Sequence, residues 1–223
     1  MLNEAALLTA RDGQHEITTT HVGAAIDRVI GGPERKSRVM SDHEQRVIAY
    51  HESGHALVGH LHEHTDPVHK VSIVSRGRAL GWTMTLPERD KYLNSRSELR
   101  SELAMLLGGR TAEEIVFGDP TTGATDDIAR VSKLARQMVT RFGMSEKLGP
   151  QAFGRENDDV FVGKEVGQGS GMSDVVADVI DDEVRDLIGV AHREAYEILN
   201  HHRDTLDALA AALLEHETLD EHQ

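Results

Sequence analysis

The chain has 223 residues, a formal net charge of −14 and no cysteine. The length admits one large domain or two small ones, and the missing thiols exclude disulfides and restrict any metal to His, Asp and Glu ligands. Residues 156–223 hold 18 acids against four bases while residues 1–155 hold 20 of each, so the acidity belongs to the C-terminal third. No Lys/Arg cluster exists to follow a phosphate backbone, and no nucleic-acid partner is expected.

No apolar run reaches the length of a membrane span, and the N-terminus lacks the basic-then-apolar layout of a signal peptide, so the residues as they stand are expected to be soluble. Residues 1–32 read as two short helices, Leu2–Arg11 and Thr20–Ile30, the second with Val22, Ala25, Ile26 and Val29 on one stripe. Two such helices cannot bury their apolar faces alone, so they are expected to be the end of a domain whose body is missing. Residues 33–40, with Gly31-Gly32-Pro33 before a charged stretch, read as a turn and linker.

Ser41-Asp42-His43-Glu44 has the S-x-x-E form of a capping box and opens the next helix. That helix carries the apolar segment Val47–Val58, interrupted by His51-Glu52-Ser53-Gly54-His55, an H-E-x-x-H sequence. Residues four apart stack on one helix face, so His51 and His55 can aim two imidazole nitrogens at one metal ion. Glu52 points about 100° around from His51. Its carboxylate then stands beside the metal, able to take a proton from a bound water as a zinc hydrolase requires. Val47, Ile48, His51, Gly54, His55 and Val58 lie roughly along one inward side, and Gly54 leaves room for another backbone or a substrate. His60, His62 and His64 alternate by two, which suits ligands on a strand; here they continue or fray a helix and are read as solvated.

Val68–Val74 and Gly81–Leu86 read as strands. The second holds Gly81, Trp82, Thr83 and Met84, and could form an edge near the metal that pairs with an extended peptide substrate. A helix over Ser97–Leu107 is expected to stop at Gly108-Gly109, followed by a shorter one over Thr111–Phe117. Thr122-Gly123-Ala124-Thr125-Asp126-Asp127 leads into an amphipathic helix over Ile128–Phe142, with Val131, Leu134, Ala135, Met138 and Val139 inward. Gly167-Gln168-Gly169-Ser170-Gly171 lacks a phosphate-loop lysine and reads as a flexible loop. Ser173 caps a long helix to about His201, and Arg203–Glu215 forms another, the two expected to pack as an antiparallel pair.

A catalytic zinc normally has three protein ligands and an open position. A third histidine six residues after the second, with glycine three after it, would need His and Gly where Leu61 and Val58 stand. A glutamate about twenty residues downstream is also missing, since Ser75 and Arg76 stand there. Two acidic clusters remain, Glu113-Glu114 and Asp126-Asp127.

Leu2–Leu7, Gly32–Ser37, the H-E-S-G-H helix, Leu107–Ile115, Thr122–Asp127 and Gly143–Pro150, taken together and in this order, resemble the FtsH family of membrane-anchored, ATP-dependent zinc metalloproteases. The resemblance runs over nearly the whole chain. It implies a mainly α fold: a helical metallopeptidase domain with a small β-sheet at 41–223, preceded at 1–32 by remnant helices of an AAA+ lid. It implies one zinc per chain with Asp127 as third ligand, Asp126 in reserve, and Glu113 and Glu114 as structural or supporting residues.

The resemblance further implies that Glu52 serves as general base in cleaving unfolded and membrane proteins. It implies a homo-hexamer anchored in the bacterial cell membrane through segments upstream, with this domain on the cytoplasmic side. ATP would be used only in an ATPase module outside these residues, because no G-x-x-x-x-G-K-[S/T] loop is present. A second reading is a non-catalytic hexameric assembly module with structural zinc. An intact Glu52 argues against that, since a structural site has no use for a base there.

Overall fold

The computed structural model describes residues 1–34, 40–77, 79–87, 91–153 and 173–220. The Gly-rich stretch 167–171 and most of the charged linker lie outside them. Among the described residues the chain is mainly α with one small sheet, as expected: α1 (Leu2–Arg11), α2 (Thr19–Gly31), α3 (Asp42–Leu61), β1 (Val68–Ser72), β2 (Trp82–Thr85), α4 (Arg96–Phe117), α5 (Thr125–Thr140), α6 (Asp174–His201), α7 (Arg203–His216) and β3 (Thr218–Asp220). None of the described helices is long and apolar enough to cross a membrane.

Helix α3 is the centre. Ser41 and Glu44 cap it reciprocally, the Ser41 N–H donating to Glu44 Oε2 at 2.8 Å and the Glu44 N–H to Ser41 Oγ at 3.3 Å. Every residue from Val47 to Gly59 is buried. The single inward side expected of this helix is therefore an all-round burial, which requires neighbours on several faces. Helix α4 supplies one, α7 a second and the sheet a third.

Helix α4 corrects the expectation of two helices. It runs unbroken through Gly108 and Gly109, because these glycines serve an approach and not a stop. A Cβ on Gly108 would stand 2.6 Å from the Gly54 carbonyl oxygen. Helix interiors accept glycine at a cost of about 1 kcal/mol each, and close packing of α4 on α3 offsets it.

The sheet has the order β2-β1-β3, all antiparallel, with Val71 opposite Thr83 on one side and Leu219 on the other. Strand β3 was not expected. The C-terminal helices also differ from expectation. They are joined by His202 alone, and each has a different principal partner, α6 lying on α4 and α5 while α7 lies on α3. They do not pair along their length because α3 and α4 offer the larger apolar faces.

Helices α1 and α2 share a small core of their own, Ala5, Leu8 and Ala25 with Val22 against them, separate from the main cluster. Lys70 on β1 reaches Asp27 on α2 at 3.1 Å, and the Gly77 N–H donates to the Pro33 carbonyl at 3.2 Å, which ties this pair of helices to the sheet.

Candidate metal centre

His51 and His55 of α3 both have their Nδ1 atoms engaged outward. His55 Nδ1 lies 2.8 Å from the Met105 carbonyl oxygen, which accepts and so places the ring proton on Nδ1. His51 Nδ1 lies 2.6 Å from Glu113 Oε1. Each contact turns the remaining nitrogen, Nε2, toward the same point, and the two Nε2 atoms stand 3.0 Å apart.

Asp127, in the first turn of α5, completes the group. Its Oδ2 lies 3.2 Å from His51 Nε2 and 3.4 Å from His55 Nε2. A tetrahedral zinc with bonds of 2.0–2.1 Å has ligand atoms about 3.3 Å apart along each edge. The three atoms thus form one face of such a tetrahedron, and they are the one grouping of potential metal ligands among the described residues. Gly109 makes the approach possible from α4: a Cβ there would stand 2.6 Å from His51 Nε2 and 2.5 Å from His55 Nε2.

The electrostatics suit a cation. Burial disfavours a protonated His51, but hydrogen bonds with Asp127 and Glu113 and the charge of Glu52 outweigh it and push the imidazole up to about 10. Burial would raise the Asp127 carboxyl, yet its contacts with His51 and His55 hold it well below the usual carboxylate range. A positive charge is therefore favoured at this point. Two imidazoles and a carboxylate at these spacings fit zinc.

Glu113 does more than orient His51. Its other oxygen, Oε2, accepts the Thr121 N–H at 2.5 Å. Thr121 caps the short turn Thr122–Ala124 that hands the chain to α5 and Asp127. One buried carboxylate thus connects α4, the His51 ring and the loop that leads to Asp127, an arrangement like the outer support found around metal-ligating histidines. Glu114 is engaged elsewhere, with Arg110 at 3.0 Å and His192 at 3.2 Å, and Asp126 is exposed. Of His60, His62 and His64, the first and last are exposed, and His62 faces Glu194 at 3.5 Å.

Glu52 is 6% exposed, and burial is the main reason its carboxyl is raised above the ordinary range. Strand β2 lies across it. Thr83 Oγ1 donates to Glu52 Oε2 at 2.8 Å, and Gly81 sits so near that a Cβ there would stand 2.7 Å from Oε1. Gly81, Trp82 and Thr83 line the cleft in front of the metal group, but Met84 does not. It is 8% exposed and buried, because alternation along the strand gives Met84 to the core. The contacts of Thr83 and Gly109 were missed in the sequence, since both depend on segments far away in the chain.

A family model for Peptidase family M41 matches residues 38–223. The chain belongs to Peptidase family M41. Over 223 residues this M41 member is 51% identical to the ATP-dependent zinc metalloprotease FtsH 1 of Conexibacter woesei, covering 100% of this chain and 34% of that protein. It is 51% identical over 221 residues to the ATP-dependent zinc metalloprotease FtsH of Thermotoga maritima, covering 99% of the chain and 36% of the relative. The protein of the same name in Mycobacterium leprae is 51% identical over 219 residues, covering 98% and 28% respectively. The M41 chain thus spans about a third of the length of these relatives.

Proposed function

We propose that this chain is the zinc endopeptidase domain of an ATP-dependent protease, with His51, His55 and Asp127 as metal ligands and Glu52 as general base. The observation that carries the reading is the convergence of two Nε2 atoms and Asp127 Oδ2 at tetrahedral spacing, with the Glu52 carboxylate on the adjoining turn of the same helix. Zinc held there by His51, His55 and Asp127 would supply a Lewis acid able to polarise a peptide carbonyl and bring water within reach of deprotonation near neutral pH. Glu52 takes that proton on its carboxylate and passes it to the departing amine, so one group serves as base and then as acid. Its burial favours the proton-holding form between the two steps. Glu113 and the Met105 carbonyl keep the two imidazoles turned inward throughout.

Strand β2 has an edge left unpaired among the described residues. An extended substrate lying on that edge beside Gly81, Trp82 and Thr83 would bring a scissile bond toward the metal by main-chain pairing. Met84 contributes through its backbone alone.

The full protein is read as a processive homo-hexamer, anchored in the bacterial cell membrane by segments outside these residues and holding this domain on the cytoplasmic side. It degrades unfolded and membrane proteins, with ATP consumed in a separate module to which α1 and α2 form the closing end of the lid. The names of the relatives support the zinc, ATP and protease parts of this reading, and their roughly threefold greater length leaves room for the further segments. Purified chain is expected to hold one zinc and to cleave casein, an unfolded protein, in a chelator-sensitive way. Glu52→Gln should keep zinc and lose cleavage, whereas cleavage at the wild-type rate by that variant overturns the base assignment. Unchanged zinc content in Asp127→Ala overturns the third ligand.

A further inference from the structure

We propose that Thr83 is the positioning residue of Glu52, fixing the carboxylate so that Oε1 is the oxygen left to exchange the proton. This rests on the reading of Glu52 as general base. A glutamate on a helix has three side-chain torsions to settle, and a buried one has little water to settle them. Here strand β2 settles them from outside the helix. The single hydroxyl proton of Thr83 has two acceptors within reach, Glu52 Oε2 at 2.8 Å and the Glu52 main-chain oxygen at 3.3 Å. The shorter, charge-assisted contact takes it. Oε2 is thereby occupied, while Oε1 accepts no hydrogen bond from any described residue.

Gly81, just before the same strand, lies close to Oε1 and offers it no hydrogen bond. Any side chain at position 81 would meet Oε1 at 2.7 Å, the Glu52 Cγ at 2.8 Å and Ile48 at 2.9 Å. Gly81 thus lets β2 come close enough for the Thr83 hydroxyl to reach. The pairing of Thr83 with Val71 on β1 holds the hydroxyl at that depth. Thr83 on the strand and Gly81 just before it thus face the two oxygens of one carboxylate, the first with a hydrogen bond and the second without one. A catalytic base displaced by a fraction of a bond length loses proton-transfer efficiency without loss of substrate affinity.

The test compares the full chain as wild type, Glu52→Gln, Thr83→Val, Thr83→Ala and Thr83→Ser, zinc-loaded, on a quenched-fluorescence peptide. Thr83→Val is expected to keep its zinc and its KM and to lose at least about tenfold in kcat, the scale of a lost hydrogen bond to a buried charge. Thr83→Ser should recover most of that loss. Thr83→Ala supplies the same comparison should the valine variant fail to fold. A raised KM with kcat intact would make Thr83 a substrate contact and overturn the proposal, as would no rescue by serine. Cleavage by Glu52→Gln at the wild-type rate, or none by wild type, would sink the base reading itself. Crystal structures of wild type and Thr83→Val decide the positioning without turnover. The carboxylate should hold one orientation in the first and leave it in the second, and the same orientation in both refutes the inference.

Discussion

Gly54 and Gly108 bring two helix backbones into contact at the level of the metal group. A Cβ built on Gly54 would stand 2.7 Å from the Ala112 Cβ and 2.9 Å from the Gly108 carbonyl carbon, and one on Gly108 would stand 2.6 Å from the Gly54 oxygen. Alanine at either position improves helix propensity by about 1 kcal/mol, yet it forces the helices apart at a cost of about 1–3 kcal/mol or more. The second effect wins where backbone is the obstacle. Gly54→Ala and Gly108→Ala should therefore lower the denaturant midpoint, and a rise in either would show that the helices can part freely.

Gly109→Ala tests the approach to the ligands themselves. The added methyl would contact both imidazole Nε2 atoms, so the ligand triangle cannot close around an ion. Zinc affinity should fall by at least about a hundredfold, beyond the range for outer-support mutations, while far-ultraviolet circular dichroism stays helical. Competition with a chromogenic chelator measures it, and wild-type affinity would refute the geometry.

Glu113→Gln keeps a carbonyl oxygen for one of its two partners and leaves the other contact weakened. With the His51 ring and the Thr121 loop no longer held together by one charge, zinc affinity is expected to drop about ten- to a hundredfold. Glu113→Ala should cost more, because it leaves the buried Nδ1–H of His51 without an acceptor. The same chelator competition ranks the variants, and an order in which alanine is the milder change contradicts the bridging role.

The metal-free chain should lose stability as pH rises. His51 is raised from 6.5 to about 10 in the folded state, so its contribution is fully present below about pH 6.5 and is lost as pH climbs toward 10. Asp127 and Glu113 are lowered, so their contribution is present above the ordinary carboxylate range and disappears only in acid. Urea midpoints of chelator-treated protein should fall from pH 6.5 to 10, and His51→Gln should flatten that slope. Zinc titrated in near pH 7 must displace the His51 proton, so calorimetric heats should vary with the ionisation enthalpy of the buffer. Buffer-independent heats would contradict the raised imidazole.

What was legible in the sequence divides by distance along the chain. The pairing of His51 with His55, the Ser41 cap and the place of Glu52 depend on residues within a few turns, and all were readable from spacing. Asp127 was one of two acidic clusters until the resemblance chose it, because nothing local shows which loop returns to α3. The Gly108-Gly109 pair was read as a stop, since propensity counts the cost of glycine and cannot see the helix that needs the space. Thr83 was read as facing substrate, and only the distance to Glu52 shows where its hydroxyl goes. Three residues at Thr218–Asp220 carry no strand signal of their own, and their conformation comes from β1, some 150 positions earlier.

That last pairing has a consequence for synthesis. Strand β1 is flanked on one side by residues 218–220, and the helix carrying both histidines takes one of its packing partners from residues 203–216, where Asp207 accepts the Tyr50 hydroxyl at 2.8 Å. A nascent chain that has emerged only as far as Asp127 holds every proposed ligand but not the scaffold that aligns them. Long-range contacts of this kind form late, so the three proposed ligands are aligned only once residues 203–220 have packed against α3 and β1.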